Sequence, residues 1–75
     1  MPKFPSKTGR EMMRVLKRLG YEVARQKGSH RIMQGEGLPE LLFSFHDDKS
    51  IHPRTVRKIL MEDAGLTEQQ ALACL

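Results

Sequence analysis

The chain has 75 residues, 39% hydrophobic and 29% charged, with one cysteine and no Trp, which allows one small domain with a thin core and excludes a disulfide framework. No apolar run has the length that a membrane-spanning helix needs, so a reducing cytoplasm is the expected compartment. The net charge of +4 is unevenly spread: residues 1–34 carry nine cations against two acids, net +7, and residues 35–75 carry four against seven, net −3. A basic half points to a phosphate-rich partner, with plain solubility as the other explanation.

Residues 1–6, with two prolines, read as an extended lead-in to a single domain over 1–75. Thr8 stands three before Glu11, the spacing of a capping box, and Met12, Val15, Leu16 and Leu19 recur at helical spacing up to Gly20. This predicts an amphipathic helix over 9–19. The period then changes to two. Tyr21, Val23 and Arg25 alternate with Glu22, Ala24 and Gln26, and Lys27-Gly28 is a turn candidate, which predicts a hairpin of strands 21–26 and 29–34. Gly35 to Pro39 reads as a loop, and Leu41 to His46 as a third strand with Leu41, Phe43 and Phe45 on one face.

Pro53 suits the first position of a helix, with His52 before it as N-cap or turn residue. Val56, Ile59 and Leu60 form its apolar stripe, and Gly65-Leu66 matches a Schellman ending. Thr67 with Gln70 repeats the capping-box spacing and predicts a short helix over 68–74. The expected class is therefore α+β: helix, three-stranded antiparallel sheet, helix, short C-terminal helix.

The pointed feature is Arg25-Gln26-Lys27-Gly28-Ser29-His30-Arg31, which sets one imidazole beside a glycine turn among three cations. Histidine is the side chain suited to lending and taking protons near neutrality. Arg25, Lys27 and Arg31 could hold a phosphate and stabilise the charge that builds on it during transfer. Gly28 would admit the backbone close to the ligand, and Ser29 could hydrogen-bond a phosphate oxygen. These are parts of a metal-independent RNA-cleaving site in which a 2′-hydroxyl is the nucleophile. The plainer reading is a strand-edge histidine among solvated cations. His46 is an auxiliary acid/base candidate or a loop-edge residue. His46 and His52, with Asp47 and Asp48 between, have no spacing specific to a metal. No cofactor is expected.

Leu19-Gly20-Tyr21, the run Arg25 to His30, Phe45-His46, Thr55 to Leu60 and Ala64 to Thr67 together resemble the HicA toxin family over roughly residues 7–74. Its marker is the lysine-glycine-serine-histidine run. The resemblance implies a double-stranded-RNA-binding-like fold, ribosome-independent cleavage of mRNA with His30 as catalytic residue, and a HicB antitoxin that covers the His30 face in a hetero-oligomer. One departure stands out: Asp47 and Asp48 follow His46 where the family often carries lysines, leaving Arg57 and Lys58, with Arg54, as the backbone contacts of the second helix. Two other classes fit the same residues, a non-catalytic RNA-binding module and a basic domain for an acidic protein partner.

Overall fold

Each element is bounded by a short chemical signal, and the computed structural model describes residues 3–75. Thr8 caps helix α1 (Gly9–Leu19): its hydroxyl accepts from the Glu11 N–H at 3.2 Å, and the Glu11 carboxylate accepts from the Thr8 N–H at 2.9 Å. The helix closes at Gly20, whose N–H reaches the carbonyls of Leu16 and Lys17. Met12, Met13, Val15 and Leu16 are buried, while Arg10, Arg14, Lys17 and Arg18 face water.

Three antiparallel strands follow in chain order, β2 (Glu22–Lys27), β3 (His30–Gly35) and β4 (Leu38–Phe43). A separate two-residue ladder pairs β1 (Lys7–Thr8) with β5 (Ser50–Ile51). The helices cover one face of the three-stranded sheet. Met33, Leu41 and Phe43 are buried there with Tyr21, Met12, Leu16, Ile51, Val56 and Leu60. The other face is open, with Ile32 paired to Leu42, which is 53% exposed.

Helix α2 (Pro53–Lys58) starts at Pro53 with His52 as N-cap, its Nδ1 accepting from the Arg54 N–H at 3.1 Å. It continues through a wider π-type turn, Ile59–Asp63, in which the Ala64 N–H reaches the Ile59 carbonyl at 2.9 Å. Gly65 follows in the left-handed region at φ 75°, and the Leu66 N–H bonds the Leu60 carbonyl at 3.0 Å, one residue further back than the expected Schellman ending because the last turn is widened. Helix α3 (Glu68–Ala73) has its own Thr67–Gln70 capping box and buries Ala71. Cys74 packs half-buried at its end, where burial pushes the thiol up.

Four other details differ from the sequence expectations. The first turn is Gly28-Ser29, not Lys27-Gly28, since Lys27 and His30 pair. The third strand is Leu38–Phe43, not Leu41–His46. Gly37, at φ 74°, closes a tight turn with Glu36, so pairing resumes at once with Gly35 opposite Leu38. Pro39 is tolerated because β4 is an edge strand, and its carbonyl accepts the buried Tyr21 hydroxyl at 2.6 Å. The β1–β5 ladder was not expected from two-residue segments. Finally, the lead-in is packed into the fold: Phe4 is buried in the core, whereas residues 1 and 2 lie outside the described residues.

After Phe43 the chain leaves the ladder and returns to α1. There the Asp47 and Lys49 carbonyls accept from the Arg10 and Gly9 N–H groups at 3.0 and 2.9 Å. With the Thr8 hydroxyl on Glu11, the first three helical N–H groups all have partners. Gly9 makes this possible, because a Cβ there would overlap the His46 carbonyl oxygen. Gly9→Ala is therefore expected to lower stability by about 1–3 kcal/mol in urea unfolding, the usual cost of forcing extra volume into a packed contact.

The Glu11 carboxyl is held below its ordinary value of 4.5, first by the Thr8 backbone N–H and then by the Thr8 hydroxyl. Glu68 is lowered by its hydrogen bond to Lys3 and by that residue's charge. Both groups favour the folded state above their unfolded values, and that contribution is lost as pH falls through the lowered folded values. Glu11→Gln keeps an acceptor on Thr8 and removes one titration. Thermal melts should show its melting temperature falling less steeply than the parent's between about pH 5 and pH 3.

Candidate functional site

The β2–β3 hairpin is closed by two residues, with Gly28 at φ 60° in the first. That is the position a type II′ turn reserves for glycine. No atom would meet a Cβ there within 4 Å, so the requirement is conformational. Gln26 Nε2 donates to the Gly28 carbonyl at 3.1 Å and fastens the turn. His30 begins β3 directly after it, exposed, opposite Lys27.

Register decides which side chains join His30. Lys27 pairs with His30 and Arg25 with Ile32, which puts all four on the open face of the sheet. Val23, two residues before Arg25, pairs instead with the buried Met33 on the helix-covered face. The register shifts between Val23 and Arg25, so Ala24 forms a bulge that re-aims the strand. Without it the simple alternation of Tyr21, Val23 and Arg25 would continue and turn Arg25 away from His30. Arg25, Gln26, Lys27, His30 and Ile32 line a shallow depression of about 320 Å³, with Ser29 half-buried at the turn beside it.

The other sequence-predicted residues lie elsewhere. Arg31 follows His30 and therefore faces the opposite side, where its Nη2 donates to Asp47 Oδ1 at 3.2 Å. The last β3–β4 pair is Arg31 with Phe43, so Ser44 to His46 leave the sheet at its hairpin-turn end. His46 is exposed there, its carbonyl accepting from the Lys49 N–H at 3.0 Å. Arg57 lines a small groove of about 150 Å³ with Lys3, Phe4, Pro53, Arg54 and Glu68, and Lys58 Nζ is 4.0 Å from Asp63 Oδ1. Neither lines the His30 depression. Among the described residues no three His, Cys, Asp or Glu side chains stand together as a metal-holding group.

A second basic surface was not singled out in the sequence. Arg10, Arg14 and Lys17 of α1 face Val23, Gln26 and Arg31 across a groove of about 360 Å³. Their spacing of four and then three residues puts them on one helix face, the sequence signal for this surface.

A family model described as the HicA toxin of bacterial toxin-antitoxin matches residues 9–66. The chain belongs to the HicA toxin family. No curated protein and no solved structure matches it. The HicA match runs from the first residue of α1 to the Gly65-Leu66 ending after α2, so it contains the whole three-stranded sheet and both helices that cover it, and leaves α3 outside. As a HicA chain the protein is the toxin of a toxin–antitoxin system, and such a family has an antitoxin as partner. Among the described residues no helix is long and apolar enough to cross a membrane.

The Arg31–Asp47 pair joins hairpin to loop. The Arg31 side chain is only 15% exposed against 50% for Asp47. Asp47→Ala removes the carboxylate from a largely buried guanidinium and should cost about 1–2 kcal/mol in urea unfolding, with Asp47→Asn recovering part of it.

Proposed function

We propose that this HicA chain is a metal-independent endoribonuclease that cuts mRNA by attack of a 2′-hydroxyl on the adjacent phosphodiester. The observation that carries the reading is His30 exposed at the mouth of the hairpin with Arg25 and Lys27 on its own face. In the reaction the O2′–P bond forms and the P–O5′ bond breaks. The 2′-hydroxyl loses its proton, the departing 5′-oxygen gains one, and the fragments end in a 2′,3′-cyclic phosphate and a 5′-hydroxyl. His30 carries one of these proton transfers as general base or acid. Arg25 and Lys27 stabilise the negative charge that grows on the phosphoryl oxygens. Gly28 keeps the turn free of a side chain so that a strand can pass close, and the Ser29 hydroxyl donates to a phosphate oxygen.

His46, at the same end of the sheet, is the candidate for the second proton transfer. Arg57 and Lys58, with Arg31, serve in this reading as backbone contacts for a longer RNA and take no part in bond cleavage. The helix–sheet–helix order supports a double-stranded-RNA-binding-like fold. A HicB-like antitoxin would cover the open face in a hetero-oligomer, burying Ile32 and Leu42 together with His30, and the pair would work in the cytoplasm. Leu42, a large apolar side chain more than half exposed on that face, supports docking there.

End-labelled single-stranded RNA in excess EDTA tests the reading. The wild type should cut it, and His30→Ala should lose about 100-fold or more of the rate. Full activity in His30→Ala would overturn the mechanism. Binding without cutting would make the chain a non-catalytic RNA-binding module. Affinity for an acidic partner chain alone would make it a protein-interaction domain.

A further inference from the structure

Arg31 holds a feature that the hairpin chemistry leaves unused. Its Nη2 is taken by Asp47, but Nη1 is buried and has no hydrogen-bond partner among the described residues. A buried N–H of a charged group left without an acceptor is uncommon in folded proteins, and it leaves the Arg31 guanidinium, which lines a groove, with its charge only partly compensated. The surroundings select an anion. Arg10, Arg14 and Lys17 line the same groove, and none has an ion-pair partner among the described residues. Four cations therefore meet there with one carboxylate, Asp47, which is already engaged by Arg31.

The shape selects a linear polyanion over a single ion. From Arg10 to Lys17 the row advances about 10 Å along α1, at roughly 1.5 Å per residue. Three of the four cations are arginines, whose forked donors suit phosphate. Met13 and Val23 give the groove an apolar lining on which a sugar or base can rest, and Gln26 adds a polar group. Position then favours the substrate over a protein. β2 is an edge strand whose six residues are all exposed. Its Val23 and Gln26 border the groove, its Arg25 and Lys27 border the His30 depression, and Gln26 lines both. A strand lying in the groove need only cross this one edge to reach His30.

We infer that the groove between α1 and β2 binds the phosphodiester backbone of RNA on the helix side of the hairpin. It holds the substrate by a stretch separate from the one that reacts. The inference rests on the ribonuclease reading and gives that reading a second, non-catalytic contact.

The test uses His30→Ala protein, so that the RNA stays intact, and an end-labelled oligouridylate whose binding is followed by fluorescence anisotropy over a range of salt. Adding Arg10→Ala, Arg14→Ala and Lys17→Ala should weaken binding by about tenfold or more. It should also flatten the logarithmic salt slope by about 2, at ~0.7 for each phosphate of a single strand that is no longer neutralised. Arg18→Ala, an exposed α1 cation that donates to the Cys74 carbonyl and does not line the groove, should change neither by comparable amounts. A circular-dichroism melt confirms that the substituted protein is folded. Unchanged affinity and slope would overturn the inference, as would weaker binding with an unchanged slope. Loss of an acidic protein partner with RNA binding intact would assign the groove to that partner instead. Failure of the His30→Ala parent to bind RNA at all would remove the ribonuclease reading and this inference together.

Discussion

The fold turns on a contact with no room for a side chain, the seating of residues 46–49 on the first turn of α1. A helix start exposes N–H groups that have no partner of their own, and this one gives two of them to loop carbonyls. Gly9 leaves the space for that approach. Once the loop is seated, Ser50 and Ile51 lie alongside Lys7 and Thr8, and Ile51 enters the core. The same seating brings the Asp47 carboxylate to Arg31. One backbone contact thus joins the helix, the end of the sheet and the floor of the basic groove. In a domain with so small a core, such a junction carries weight that apolar burial alone does not supply.

What could be read from the residues was whatever had a local cause. The two capping boxes, Pro53 at the start of α2, the glycine endings and the hairpin each depend on residues a few positions apart, and the structure has all of them. What could not be read either has conflicting local signals or depends on partners distant in sequence. Strand β4 starts three residues early because Gly37 closes its turn tightly, although Pro39 in the same stretch argues for a loop. Ser44 to His46 alternate well enough for a strand and are drawn off it by the pull of α1. Gly9 looks like an ordinary first helical residue until the loop that lies on it is known.

The same division runs through the candidate site. The Arg25-to-Arg31 run announces itself as chemistry, but its geometry hangs on Ala24, which no pattern in the run marks as a bulge. That single added residue separates the cations into two groups. Arg25 and Lys27 go to the open face with His30, while Arg31 goes under the sheet to meet the α1 row. A contiguous basic motif thereby serves two surfaces. In the proposed ribonuclease, such a division would let a small protein hold a long chain at one place and act on it at another without a deep pocket.

The free border of the sheet has one more consequence. A solvent-facing outer strand with open backbone groups is a template on which other copies can add themselves. Strand β2 avoids presenting a flat, regular rim, because the bulge at Ala24 interrupts its ladder and cations flank the break. The irregularity that turns Arg25 toward His30 therefore also discourages the chain from stacking into sheets with its own kind. A variant that straightened this strand would lose both the placement of Arg25 beside His30 and the broken rim.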